Sequence, residues 1–208
     1  MGMNEKLRMA TLVLSCVATQ FVSPVRAMPL APDDLQRLAA GETIIRVEPA
    51  DSPADGRVFA AINIAAPMAR VWQILFECAN APIILPNLTY CGVLEVGPGH
   101  AWDVREHRVR WLSMMPEIRS QFRSDYVVGK SIRFTRVGGD MRALDGEWRL
   151  FPLDGGRATQ LTYDATVGFG ALIPGFMIRN SLQKDVPGFL AAIRSAALAG
   201  PRPLKASQ

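Results

Sequence analysis

Hydrophobic and polar positions recur every second residue over most of this chain and every third or fourth residue at its end. From Pro174 to about Leu198, a 3.6-residue period puts Ile178, Leu182, Val186, Phe189 and Ile193 on one stripe. Leu190 and Ala197 lie beside it, with Asn180, Gln183, Lys184 and Arg194 on the far side. Pro174 suits a first helical turn and Gly200-Pro201 makes a stop, so a single long helix is predicted. Burying such a stripe is worth on the order of 10 kcal/mol as an upper bound, so the helix needs a partner surface. Pro187 removes one helical hydrogen bond and, with Gly188 next to it, predicts either a packing kink or a hinge that opens a cavity.

The period-2 segments supply that surface. Strands are predicted at 57–65, 89–96, 101–112, 118–128, 131–137, 144–152 and 157–169, separated by Gly-, Pro- and Asp-rich turns. Two show a clear phase. Ile118, Phe122 and Tyr126 alternate with Arg119, Gln121, Arg123 and Asp125, and Leu161, Tyr163, Ala165, Val167 and Phe169 alternate with polar partners. The strand at 101–112 is less regular, since Glu106, Arg108 and Arg110 interrupt it and the phase change at Val109 and Trp111 suggests a bulge. Pro67 opens a helix carrying Val71, Ile74, Leu75 and Cys78, and Asn80–Pro86 forms a short helical corner. Hairpin-short connections predict an antiparallel meander whose inner face the terminal helix covers. Upstream, 32–40 is a short helix with Asp33 and Asp34 in its first turn, 43–47 a short strand, and 49–56 a polar linker.

The N-terminus changes the picture of where the chain acts. Residues 1–27 have the pattern of a secretory signal: Lys6 and Arg8, an apolar run from Met9 to Val22, then Val25-Arg26-Ala27 as a small-x-small cleavage site. The run is too short for a membrane span, although retention as an anchor, or lipidation at Cys16, are alternatives. The expected location is therefore outside the cytoplasm, in a periplasm-like compartment. Cleavage removes three basic residues and one acidic one, which lowers the net charge from +4 to +2 and leaves no basic surface of the kind nucleic acid requires. Cys78 and Cys91 survive cleavage, as a disulfide or as two separately buried thiols.

The segments IAAPMARVWQILFECANAPIILPNL (Ile64–Leu88), LDGEWRLFPLDGGRATQLTYDATV (Leu144–Val167) and IPGFMIRNSLQKDVPGFLAAIRSAA (Ile173–Ala197) resemble the START-like polyketide cyclase/dehydrase and lipid-transport superfamily (SRPBCC), closest to its coenzyme Q-binding group. The resemblance implies an α+β helix-grip fold, a curved antiparallel sheet wrapped around a long C-terminal helix with a cavity between them. It also implies hydrophobic ligands held rather than transformed. On this basis residues 1–27 are the signal peptide, 28–56 an N-terminal extension, 57–199 the START-like domain and 200–208 a disordered tail.

Catalytic motifs are absent: there is no G-x-S-x-G, no P-loop and no H-E-x-x-H. His100 and His107 are at odd separation, so no shared metal is expected, and no cofactor is called for. The aromatic residues are the candidate ligand-binding set: Trp102, Trp111, Phe122, Phe134, Trp148 and Tyr163 on strands, Phe176 and Phe189 on the helix. The expected partner is a hydrophobic small molecule or lipid, with transient membrane contact as an accompaniment. An aromatase/cyclase-like enzyme using Glu106, His107, Arg110 or Tyr163 in the same cavity is the alternative. Arg119, Arg123, Arg133 and Arg149 are expected on the solvated outer face.

Overall fold

The computed structural model describes residues 30–85, 87–110, 117–169 and 173–200. The expected signal peptide, Trp111, the turn at Met115-Pro116 and residues 201–208 lie outside them.

One eight-stranded antiparallel sheet forms the body. In chain order its strands are β1 (Thr43–Pro49), β2 (Asp55–Ile64), β3 (Leu88–Val96), β4 (Trp102–Val109), β5 (Ile118–Val127), β6 (Ser131–Gly139), β7 (Ala143–Leu153) and β8 (Ala158–Gly168), and in space they run β1-β2-β8-β7-β6-β5-β4-β3. After β2 the chain crosses to the far edge of the sheet through a corner made of α2 (Met68–Phe76) and α3 (Ala81–Ile84). It then returns strand by strand until β8 pairs with β2. The final helix α4 (Gly175–Leu198) lies across the concave face, giving the helix-grip arrangement.

The burial pattern explains the arrangement. Val58, Ala60, Ile62 and Ile64 face α4 and are fully buried, as are Val186, Leu190 and Ile193 opposite them. The other face of β2 is covered too, because Phe59 and Ala61 pack with Ile44 of β1 and Leu38 of α1 (Pro32–Ala39). A strand buried on both faces reads as a near-continuous apolar run, and VFAAINI has that form. Residues 30–56, within the expected N-terminal extension, therefore take part in the sheet and its packing. β1 pairs with β2 along its whole length, and the presumed linker 49–56 is the hairpin between them plus the first residues of β2.

α4 continues through Pro187 without a break. Its C-terminal end is tied down from α2, where Arg70 donates to the Ala196 carbonyl (3.1 Å) and to that of Gly200, satisfying acceptors that a helix end leaves open. Cys78 and Cys91 form a disulfide with Cα atoms 5.8 Å apart, which fastens the α2–α3 corner to edge strand β3. No described helix is long and apolar enough to cross a membrane.

Candidate ligand-binding cavity

Between α4 and the β4–β8 part of the sheet lies a cavity of about 640 Å³, within the roughly 300–1,000 Å³ of small-molecule sites. A second depression, of about 480 Å³, lies between the β1–β2 hairpin and the ends of β7 and β8. Its two buried carboxylates are engaged, Asp55 by Arg142 and Asp164 by Arg57. The larger, mostly apolar one is the candidate site.

Its floor is a run of rings carried by five strands. His107 of β4 meets Phe122 of β5 edge-on at 4.9 Å, and Phe122 meets Phe134 of β6 at 6.3 Å. Phe134 stacks on Tyr163 of β8 at 6.1 Å, and Tyr163 lies 4.2 Å from Trp148 of β7. Gly146 makes room for this run: it lies in the middle of β7 opposite Phe134, and a Cβ there would strike the Phe134 ring and the Asp164 carbonyl. The roof is α4, which presents Ser181, Lys184, Asp185, Gly188, Phe189 and Ala192 to the cavity while its other stripe packs on the sheet. Ala81, Ile84, Leu85 and Asn87 of the helical corner close one side.

Of the aromatics singled out in the sequence, Phe122, Phe134, Trp148, Tyr163 and Phe189 line the cavity. Trp102 does not. It lies on the outer face of β4, with the Arg123 guanidinium 4.1 Å above its ring. Phe176 is 57% exposed on the first turn of α4 and also stands outside the cavity. Lys184, placed on the solvent side of α4 by its spacing, instead lines the cavity at its exposed rim.

The polar groups of β4 divide by strand phase. Pairing sets Arg105 opposite Phe122 and His107 opposite Ser120, and all four line the cavity. Glu106 and Arg108 therefore face outward. There Glu106 accepts 2.7 Å hydrogen bonds from Gln121 and Arg108, which hold its carboxyl below the usual carboxylate range. Arg110 pairs with Glu117 (2.9 Å) and does not line the cavity. The register of β4 with β5 runs unbroken from Trp102 to Val109, with irregularities in β3 and between β5 and β6; the bulge expected at Val109 and Trp111 extends outside the described residues.

Sequence reasoning missed Asp103 and Arg105. Arg105 donates through Nε and Nη2 to both Asp103 oxygens (2.9–3.1 Å), and the His100 Nε2 is 3.3 Å from Asp103. The signal was available in β5: once Phe122 is assigned inward, any strand in register with it must turn Arg105 inward. Burial, with the Arg105 charge adding to it, pushes the His107 imidazole down to about 4, and burial pushes the Tyr163 phenol up. Both are neutral near pH 7. His107 and Tyr163 also sit four strands apart on the sheet, so they do not form an acid–base pair.

Comparison with known proteins agrees with this geometry. The chain superposes on the STAR-related lipid transfer protein from Xanthomonas axonopodis with a TM-score of 0.62, at 15% identity, covering 75% of this chain and 93% of that one. It superposes on human STARD10 with a TM-score of 0.63, at 10% identity over 84% of this chain and 82% of that one. For the Zhui aromatase/cyclase from Streptomyces sp. R1128 the TM-score is 0.55, at 22% identity over 70% and 92%. At these identities the likeness is one of fold. A search of curated proteins found no match. The family described as polyketide cyclase / dehydrase and lipid transport matches residues 64–194, which span the helical corner, the meander and most of α4, and the chain belongs to that family.

Proposed function

We propose that this protein is an exported carrier that holds a hydrophobic ligand, lipid or isoprenoid-like as in the coenzyme Q-binding group, between its sheet and α4. The observation that carries this is the cavity of about 640 Å³ floored by a continuous run of rings, with His107 and Tyr163 neutral and Arg105 paired with Asp103. A base near 4 is poorly matched to proton abstraction at neutral pH, and Glu106 and Arg110 point elsewhere, so the cyclase alternative has fewer working parts. Native mass spectrometry with lipid extraction of purified protein tests the proposal. A co-purified hydrophobic molecule, or saturable uptake of an added polyisoprenoid, is expected. Repeated absence of both overturns it.

Export is supported by the signal-like residues 1–27 and by the Cys78–Cys91 bond, which suits an oxidising compartment. Cell fractionation with N-terminal sequencing is expected to find a periplasmic chain beginning at Met28. A cytoplasmic chain retaining residues 1–27 rejects this part. Exposed Phe176 and Met177, on the turn that leads into cavity-lining Ile178, suit brief contact with a bilayer during transfer. Replacing both by Ser is expected to weaken vesicle co-sedimentation several-fold; unchanged sedimentation removes the membrane step.

A further inference from the structure

We infer that the cavity recognises its ligand by a neutral hydrogen-bond-accepting end, such as a ketone, ester or quinone-type oxygen, and discriminates against a carboxylate or phosphate. This rests on the carrier reading and adds the chemical class of the cargo.

The inference starts from Arg105, which is only 6% exposed and lines the cavity wall. Its bonds to Asp103 use Nε and Nη2, so both N–H groups of Nη1 lack a partner among the described residues. The guanidinium is held in place by the rings of Phe76 (5.4 Å) and Tyr126 (5.8 Å). Nη1 keeps a face open to the cavity; once a ligand fills that space an N–H without an acceptor becomes costly, and a ligand oxygen arriving at the wall avoids that cost. Two residues along the same face, the neutral His107 ring has an Nε2 with no partner among the described residues. Opposite it stands Ser120.

The charge of this group decides what kind of oxygen fits. Asp103 is fully buried and cancels Arg105, and His107 is neutral, so the wall offers the Arg105 N–H groups and the Ser120 hydroxyl as donors without a net positive charge. A carboxylate here would bring a second anion beside Asp103 for one shared cation, in surroundings that screen little. A carbonyl takes the same N–H groups without that repulsion. The other cation among the described lining residues, Lys184, is at the exposed rim beside Asp185.

Four probes of similar chain length test this on the full protein: hexadecane, 2-heptadecanone, palmitate and hexadecylammonium, each competing with a bound fluorescent neutral lipid at pH 7.5. The ketone is expected to bind at least tenfold more tightly than palmitate and more tightly than hexadecane. Palmitate equal to or tighter than the ketone overturns the inference and leaves the carrier reading intact; failure of every probe, hexadecane included, overturns both. Asp103→Asn, which leaves Arg105 uncancelled, is expected to improve palmitate relative to the ketone at least tenfold, a gain that loss of structure would not produce. An unchanged ranking in that folded variant also counts against the inference. Should Asp103→Asn not fold, the wild-type ranking alone decides.

Discussion

The two halves of the grip are built differently, although one helix serves both. Where β1 and β2 meet α4, Val58, Ala60, Ile62 and Ile64 interlock with Leu190 and Ile193, and the interior is solid. Where β4 to β7 curve beneath the same helix, α4 turns Ser181, Lys184, Asp185, Gly188 and Ala192 toward them, and a cavity remains. Small or polar residues at 181, 184, 185, 188 and 192 follow helical spacing as faithfully as the apolar stripe does. A stripe that declines to fill space is therefore as much a structural instruction as one that fills it.

Substitutions one residue apart give the sharpest break between the halves. Leu190→Ala, at a fully buried position in the solid half, is expected to cost about 2–5 kcal/mol in urea unfolding. Phe189→Ala, on the cavity wall, is expected to cost clearly less and to alter ligand affinity instead; equal costs would erase the distinction. Next is the disulfide. It closes a short loop around α3 at the hollow end, and its loss in Cys78→Ser/Cys91→Ser is expected to cost about 3 kcal/mol and to speed ligand release. The check is denaturation with and without reductant, to which the double variant is indifferent.

A comparable effect is expected from pH. The unfolded chain protonates His107 near 6.5, whereas the folded chain resists protonation until about 4. This contribution is therefore complete above pH 6.5 and falls as pH drops toward 4, by up to about 3 kcal/mol. Substituting Gln for His107 is expected to flatten that slope; an unaltered slope places the titration elsewhere. The smallest effect on stability concerns Gly188, where a Cβ would meet open space. Gly188→Ala is expected to raise stability by about 0.5–1 kcal/mol, as helix propensity dictates. Gly188→Leu is expected to keep the fold while reducing ligand uptake, which equilibrium binding measures.

Much of this architecture was legible because one face of each well-phased element is dry. β5 and β8 alternate cleanly and α4 carries marked ends, so apart from Lys184 the residues named on them take the sides that the pattern assigns. β4 resists such treatment because both its faces are mixed. Trp102 and Val104 sit outside, Asp103, Arg105 and His107 inside, and only its register with β5 settles the matter. Trp102 and Phe176 show the limit of aromaticity as a guide: a large ring is also content beneath an arginine or at a helix start. The hairpin at 49–56 looked like a boundary because turn chemistry marks a reversal and a linker alike.

The closing seam between β2 and β8 has a kinetic consequence. It joins residues as far apart as Arg57 and Asp164, separated by 107 positions, while each meander hairpin involves near neighbours. Contacts of such long range are acquired slowly, so the hairpins are expected to assemble first and the seam last. A nascent polypeptide cannot zip shut until nearly its entire length has emerged, which keeps it threadable for as long as it is still being made.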